Sequence, residues 1–266
     1  MTKIDKHNLA TELERIYRLY NRREFVHPDP LEFLYAYESA TDREIVGLVA
    51  SSLAYGRVEQ ILRSVSNALD RMGPHPAAFV KDLTSNVMTR AFRGFKHRFT
   101  TGEELAMMLT GARNMLKEYG SLGACFTAGL APDDETVLPA LDIFVDRLSG
   151  VFENGCCYLL PAPERKSACK RLNLYLRWMI RQDDVDPGGW DAPASKLVVP
   201  LDTHMHRIGL ALGFTQRKQA DLRAALEITQ AFREFSPDDP VKYDFSLTRL
   251  GIRRDEDLGA FLDSVR

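Results

Sequence analysis

The chain has 266 residues, of which 45% are hydrophobic and 27% charged, and its formal net charge is −2. This charge excludes a polycation that coats nucleic acid over its whole surface, so any basic face has to be local. No apolar run reaches the roughly 18–20 residues that cross a bilayer, and the charged start does not look like a cleavable signal, so no membrane partner is expected. The cysteines form no C-x-x-C framework, which predicts a reduced, cytoplasmic protein. They are Cys125, Cys156, Cys157 and Cys169.

The first half of the chain predicts a series of helices. Apolar residues recur at helical spacing over residues 9–20. Thr41 and Glu44 have the spacing of a capping box, which predicts the start of a buried helix that should break at Gly56. The segment VEQILRSVSNALDRMG predicts the next helix, closed by a glycine and a proline.

The second half continues the helical pattern. Thr101 and Glu104 form a second predicted capping box, and DDVDPGGWDAPASK is loop by composition. The other predicted helices are TVLPALDIFVDRLSGVF, SACKRLNLYLRWMIRQ, the segment from Thr203 to about Leu212, RKQADLRAALEITQAFREF and DPVKYDFSLTRLGI. Because no alternating segment is long enough to require a sheet, we expect an all-α fold.

Asp202 stands at the predicted start of a helix, in VVPLDTHMHRIGLALGF. A capping aspartate accepts hydrogen bonds from the free N–H groups of the first turn, and the helix dipole favours its ionised form. A catalytic carboxylate and a metal site with His204 and His206 are the other interpretations. On a helix, histidines two residues apart point about 200° away from each other, which disfavours the metal site.

Lys170 stands in the first turn of the helix predicted within KSACKRLNLYLRWMIR. Exposed N–H groups at such an end can hold a phosphate, and the dipole there favours the uncharged amine, which can form a Schiff base with an aldehydic carbon. This region is strongly basic, and its charged face is either a phosphate-binding surface or a solvated helix face. Within residues 162–182 only Glu164 opposes Arg165, Lys166, Lys170, Arg171, Arg177 and Arg181.

The lysine and aspartate stretches together resemble the helix-hairpin-helix DNA glycosylases, the superfamily of endonuclease III. The K-x-x-N-x-x-L pattern that opens the second hairpin helix of those enzymes is matched by Lys170, Asn173 and Leu176. Their V-D-T-H-x-x-R segment, which carries the catalytic aspartate, is matched with a leucine for the valine by Asp202, Thr203, His204 and Arg207. Three segments, ACKRLNLYLRWMIR, PLDTHMHRIGLALG and DDPVKYDFSLTRLGI, look more closely like an uncharacterised bacterial family of that superfamily. The resemblance covers most of residues 40–252.

Three departures from the superfamily pattern bear on the target base and the cofactor. Ala168 and Cys169 stand where the hairpin normally has glycines. The separation of Lys170 and Asp202 exceeds that in endonuclease III and is closer to the archaeal 8-oxoguanine glycosylase branch. The cluster cysteines of endonuclease III are absent from the C-terminal region, so neither an iron–sulfur cluster nor another cofactor is expected.

The resemblance implies a base-excision DNA glycosylase with AP-lyase activity on double-stranded DNA, with 8-oxoguanine as the favoured base. Lys170 would attack C1′ of the flipped nucleotide, and Asp202 would stabilise charge and transfer protons. A non-catalytic nucleic-acid-binding protein of the same fold is one alternative. A metal-dependent hydrolase that uses Asp202, His204 and His206 is the other.

Further DNA contacts are expected around the AYGR turn. Tyr55 and Arg57 can project from a bend at Gly56 as a wedge, although Tyr55 can equally pack in the core and Arg57 can simply be solvated. Gln60 is near enough to probe the opposite base. Trp190, in a Gly-Gly-Trp loop, either stacks on the extruded base or anchors the core. The other expected DNA contacts are Lys166, Arg171, Arg177 and Arg207, and the other base-pocket candidates are Leu174 and His204.

The expected architecture has two helical lobes with a cleft between them. One lobe is a helical barrel over residues 41–185, which contains the hairpin. Residues 1–40 and 195–266 form the second lobe, because the chain returns to its start in this superfamily. Asp202 then faces Lys170 across the cleft.

Overall fold

A computed structural model describes residues 5–152, 158–161, 163–165, 167–250 and 258–265 of the chain. Within these residues helices make up nearly all of the regular structure, which confirms the predicted all-α class. The helices are α1 (Lys6–Tyr20), α2 (Ala40–Ser52), α3 (Val58–Met72), α4 (Pro76–Asp82), α5 (Ser85–Ala91), α6 (Gly102–Tyr119), α7 (Leu122–Ala128), α8 (Leu138–Ser149), α9 (Lys170–Ile180), α10 (Thr203–Ala211), α11 (Leu222–Arg233), α12 (Asp244–Leu250) and α13 (Leu258–Ser264). Short 3₁₀ helices span Arg23–Phe25, Pro30–Ala36, Pro163–Arg165 and Ala194–Lys196. No described helix is both long and apolar enough to cross a membrane.

A small antiparallel hairpin interrupts the helices before α6. Its strands are β1 (Lys96–His97) and β2 (Thr100–Thr101), and Lys96 pairs with Thr101 and His97 with Thr100. The turn contains Arg98 in the left-handed region at φ +51°. Strands of two residues give no detectable alternation, so the sequence did not predict this hairpin.

Side-chain caps explain where several helices begin. Thr101 caps α6 in a reciprocal capping box with Glu104, as predicted. The predicted capping box of Thr41 and Glu44 is wrong, because Ser39 caps α2. The Glu44 carboxylate points instead into the interior, where it accepts hydrogen bonds from the first backbone N–H groups of α7.

The helices pack in two neighbourhoods. In one, α2 packs against α9 and the 3₁₀ helix Pro30–Ala36, while α6 packs against α5, α7 and α8. In the other, α1 packs against α12 and α13, and α12 packs against α10. The first and the last helix of the described residues therefore contact each other, and α12 connects α1 to α10, the helix that Asp202 caps. The predicted lobe boundaries stay a prediction.

Candidate functional site

Lys170 and Asp202 meet in the structure, with 3.4 Å between Lys170 Nζ and Asp202 Oδ2. Lys170 is the first residue of α9, and Asp202 is the N-cap of α10, so the beginnings of two helices face each other. Asp202 Oδ1 accepts the backbone N–H groups of His204 and Met205 at 2.9 and 2.8 Å. One carboxylate oxygen therefore caps the helix while the other faces the amine.

The pair lies in an open cavity of about 1090 Å³. Its walls come from five separate stretches of the chain, within residues 54–58, 158–161, 167–171, 201–204 and 219–221. The side chains of Lys170 and Asp202 are 39% and 23% exposed, so both are accessible to a molecule that enters the cavity. A space of this size exceeds the usual range for small-ligand pockets and can take in a nucleotide.

The turn before Lys170 keeps a glycine-like backbone without glycine. Cys169 has φ +46°, in the left-handed region, and its side chain is buried. Its Sγ donates to the Pro161 carbonyl at 3.3 Å. Burial raises the pKa of the Cys169 thiol to about 12, so the thiol stays protonated and is a poor nucleophile.

Asn173 stabilises the same turn by a hydrogen bond from its buried side chain. It is fully buried, and its Nδ2 donates to the Ala168 carbonyl at 3.0 Å. The asparagine of the K-x-x-N pattern thus fixes the residues that lead into α9, and with them the position of Lys170.

Tyr55 and Arg171 form part of the cavity wall. The Tyr55 hydroxyl donates to the His97 carbonyl at 2.8 Å. Arg171 donates to the carbonyls of Ser52 and Tyr158, and its guanidinium lies 5.0 Å from the Tyr55 ring centre and 4.8 Å from that of Tyr158. The bond of the Tyr55 hydroxyl to the hairpin favours the packed alternative over a projecting wedge. DNA contacts by Tyr55 and Arg171 stay predictions.

Three residues of the AYGR region are exposed, and one of them, Gly56, lines the cavity. Gly56 has φ +101°, as expected for a tight bend, and Arg57 and Gln60 are exposed at the start of α3. A Cβ on Gly56 would lie 2.9 Å from Arg98 Cδ, so the hairpin side chain rests on this glycine. DNA contacts by these residues stay a prediction.

Arg177 does not line a DNA-binding face, and its predicted phosphate contact is wrong. Its side chain is 4% exposed. Nε donates to Asp186 at 3.2 Å and Nη1 to Asp244 at 2.5 Å. The helical spacing of basic residues cannot reveal the two carboxylates that other segments bring to this arginine.

Trp190 is a buried anchor, so its predicted stacking on an extruded base is wrong. The residue is 6% exposed, and Nε1 donates to Glu44 Oε1 at 2.8 Å. Its ring stacks on that of Phe126, with 5.4 Å between the ring centres. Leu174 also packs against the hydrophobic core and is not among the residues that line the cavity.

The two histidines after Asp202 have different environments. His204 is exposed and lines the cavity, whereas His206 is buried and its Nε2 lies 2.8 Å from the Arg217 carbonyl. In the described part of the chain, no group of three His, Cys, Asp or Glu side chains is arranged to hold a metal ion. Arg207 is exposed on α10, and Lys166 lies outside the described residues.

Sequence reasoning missed two carboxylates next to the pair. Asp221 caps α11 and lines the cavity, and hydrogen bonds from Arg217 lower the pKa of Asp221 to about 2. Asp244 is buried on α12, where burial, with a further contribution from the charge of Asp202, raises the pKa of Asp244 to about 6. The Asp221 cap could have been found from the acid before LRAALE, but nothing in the local sequence marks Asp244.

Residues 29–253 match the family described as "Protein of unknown function (DUF2400)". The match includes every residue of the cavity. No curated protein and no solved structure matches the chain.

Proposed function

The chain belongs to the DUF2400 family, and we propose that it is a DNA glycosylase with AP-lyase activity that acts on a damaged base. The observation that carries this proposal is the distance of 3.4 Å between Lys170 Nζ and Asp202 Oδ2 in an open cavity. A primary amine beside a carboxylate is the pair that Schiff-base chemistry at a sugar carbon requires. The resemblance to the archaeal 8-oxoguanine branch makes 8-oxoguanine the favoured base.

The reaction begins when the target nucleotide leaves the duplex and enters the cavity. Asp202 Oδ2 accepts a proton from the ammonium group of Lys170, and the free amine attacks C1′. The glycosidic electron pair leaves with the base, which takes up the proton that Asp202 had accepted and so restores the carboxylate. The sugar ring then opens as a proton passes from Nζ to O4′, which gives a protonated Schiff base between Nζ and C1′, and the carboxylate stabilises its positive charge.

Strand cleavage follows from the same intermediate. Loss of a proton from C2′ expels the 3′ phosphate by β-elimination, and hydrolysis of the Schiff base regenerates Lys170. Both reacting side chains start from fixed backbone positions, one at the first residue of α9 and one at the cap of α10. This arrangement favours the reaction because little freedom remains to be lost on the way to the transition state.

The test is borohydride trapping on duplexes that carry 8-oxoguanine, uracil, an alkylated purine or an abasic site. The wild-type protein is expected to form a covalent adduct with at least one duplex in the presence of EDTA. Lys170→Gln should abolish the adduct, and Lys117→Gln, at an exposed lysine of α6, should leave it unchanged. The proposal is wrong if no duplex is trapped, or if Lys170→Gln traps as well as the wild type. Binding without trapping would favour the non-catalytic alternative.

A further inference from the structure

The segment before α6 is strongly basic and also aromatic. Residues 90–102, RAFRGFKHRFTTG, contain four cations and no acid. All four cations, Arg90, Arg93, Lys96 and Arg98, are exposed. Burial lowers the pKa of His97 below its usual value, which favours the uncharged ring. Phe92 and Phe95 of this segment are buried, so Phe99 is its exposed aromatic residue. An exposed aromatic ring among cations is typical of surfaces that bind single-stranded nucleic acid.

Phe99 lies at the tip of the hairpin and is 66% exposed, more than any other large hydrophobic residue in the described ranges. Its ring centre is 5.7 Å from that of Tyr158, which is 50% exposed. Tyr158 in turn lies 5.0 Å from Tyr55 in the cavity wall. The rings of Tyr55, Tyr158 and Phe99 thus form a continuous row from the cavity wall to the hairpin tip. Exposure of such rings to water is unfavourable, which favours their burial by a ligand.

The hairpin is held firmly in this position. The His97 ring contacts Ser64 Oγ at 2.9 Å through Nδ1 and the Tyr55 carbonyl at 3.0 Å through Nε2. Arg98 rests on Gly56, and its guanidinium lies 5.5 Å from the Phe99 ring centre. The exposed ring is therefore presented on a rigid element beside a fixed positive charge, which lowers the entropy lost when a ligand stacks on it.

We propose that Phe99 and Tyr158, with the four cations of residues 90–98, form a binding site for an unpaired nucleobase of DNA and its flanking phosphates. The face of the base stacks on the aromatic rings, and the exposed cations contact the phosphates on either side. A fully paired duplex has no free base face to offer, so only the cations would engage it. The inference rests on the proposed function for its choice of DNA as the partner, and it does not depend on whether Lys170 reacts.

Binding is tested by fluorescence anisotropy on three labelled oligonucleotides of equal length. They are a single strand, a duplex with one bulged base and a fully paired duplex. Phe99→Ala should weaken binding to the first two by about tenfold, equivalent to ~1.4 kcal/mol or one stacked base. Its binding to the paired duplex should change less than about twofold. Phe99→Trp should bind like the wild type, and so should Ile143→Ala, at an exposed apolar residue of α8 that is 45% exposed.

Photo-crosslinking gives a second readout that does not depend on affinity. With 5-iododeoxyuridine at the bulged position, the crosslink should map to Phe99 or Tyr158, and Phe99→Ala should reduce it. Equal binding of Phe99→Ala and the wild type to all three oligonucleotides overturns the proposal. Phe99-dependent binding to anionic vesicles, without an effect on DNA, overturns it as well.

The two proposals fail separately. If trapping fails while Phe99→Ala still weakens binding to unpaired bases, the glycosylase proposal is wrong and the stacking site remains. If trapping succeeds and Phe99→Ala binds unpaired bases as well as the wild type, the stacking site is wrong and the glycosylase proposal remains.

Discussion

Asp244 accepts a hydrogen bond of 2.5 Å from Arg177 Nη1. This buried contact links the helix that begins at Lys170 to a helix that packs against the one capped by Asp202. Arg177 lies on α9, whose first residue is Lys170, and Asp244 lies on α12, which packs against α10. Arg181 extends the network by pairing with Asp183, Asp186 and Asp239. Buried ion pairs contribute little net stability but fix geometry, because breaking one leaves an uncompensated charge.

The stability of the protein should depend on pH through Asp244. Its pKa is raised from 3.8 to about 6 in the folded protein, so the folded state binds more protons than the unfolded chain between these values. The free energy of unfolding should therefore fall as the pH rises through this window, by up to ~3 kcal/mol from this group. In Asp244→Asn this position has no group that titrates, so the variant does not lose stability in this way. Its free energy of unfolding relative to that of the wild type should therefore increase from about pH 4 to about pH 7. Denaturant unfolding at both pH values measures this difference, and an equal difference at both would contradict the assignment.

The two roles of Asp202 should separate between two substitutions. Asparagine is as good an N-cap as aspartate, so Asp202→Asn should lower the free energy of unfolding by only a few tenths of a kcal/mol, whereas Asp202→Ala should lower it by about 1 kcal/mol. Both variants should lose about 100-fold in the rate of borohydride trapping, since neither can accept the proton of Lys170. Chemical denaturation and single-turnover trapping are the measurements. A normal trapping rate in Asp202→Asn would show that Asp202 only caps the helix and does not accept the proton.

Glu44 should be among the most sensitive positions of the core. It accepts the N–H groups of Leu122 and Gly123 at the start of α7, and the Nε1–H of Trp190. Glu44→Ala leaves three donors without an acceptor and should lower the free energy of unfolding by about 3 kcal/mol or more. Glu44→Gln keeps one acceptor oxygen, so it should lower the free energy of unfolding less than Glu44→Ala does. Glu103→Ala, at an exposed acid in the first turn of α6, should change stability by less than about 0.5 kcal/mol.

The exposed arginines near the cavity should determine how DNA affinity depends on salt. Arg57 precedes α3, and Arg207 is exposed on α10. Each phosphate contact that is lost reduces the slope of log K against log salt by about one. Arg57→Gln and Arg207→Gln are expected to show this reduction on every DNA sequence, and Lys117→Gln to show none. An unchanged slope in both arginine variants would place the phosphate-binding surface elsewhere.

Local sequence patterns were sufficient where the structure depends on neighbouring residues. The cap at Asp202 and the capping box at Thr101 follow from residues within one helical turn. The helix of Lys170 was predicted from residue 167 and begins three residues later, because Cys169 has a left-handed backbone. The approach of Lys170 to Asp202 is a tertiary contact, and only the resemblance to a known superfamily led us to expect it.

The predictions failed where a distant segment decides the environment of a side chain. Glu44 has the spacing of a capping residue, but α7 and Trp190 supply stronger partners in the core. Arg177 belongs to a basic helix in the sequence, but Asp186 and Asp244 bury it. Phe99 was overlooked because a hairpin with two-residue strands leaves no periodic signal, although the basic and aromatic composition of residues 90–102 was visible.

The backbone at Cys169 has a consequence for how related chains are recognised. At φ +46° a glycine would be free of strain, whereas a cysteine costs of order 1 kcal/mol, and this chain accepts that cost directly before Lys170. What this turn retains is a torsion angle and not a particular amino acid. A sequence pattern that requires a glycine at this step excludes this chain, although its backbone has the torsion angle that the glycine would supply.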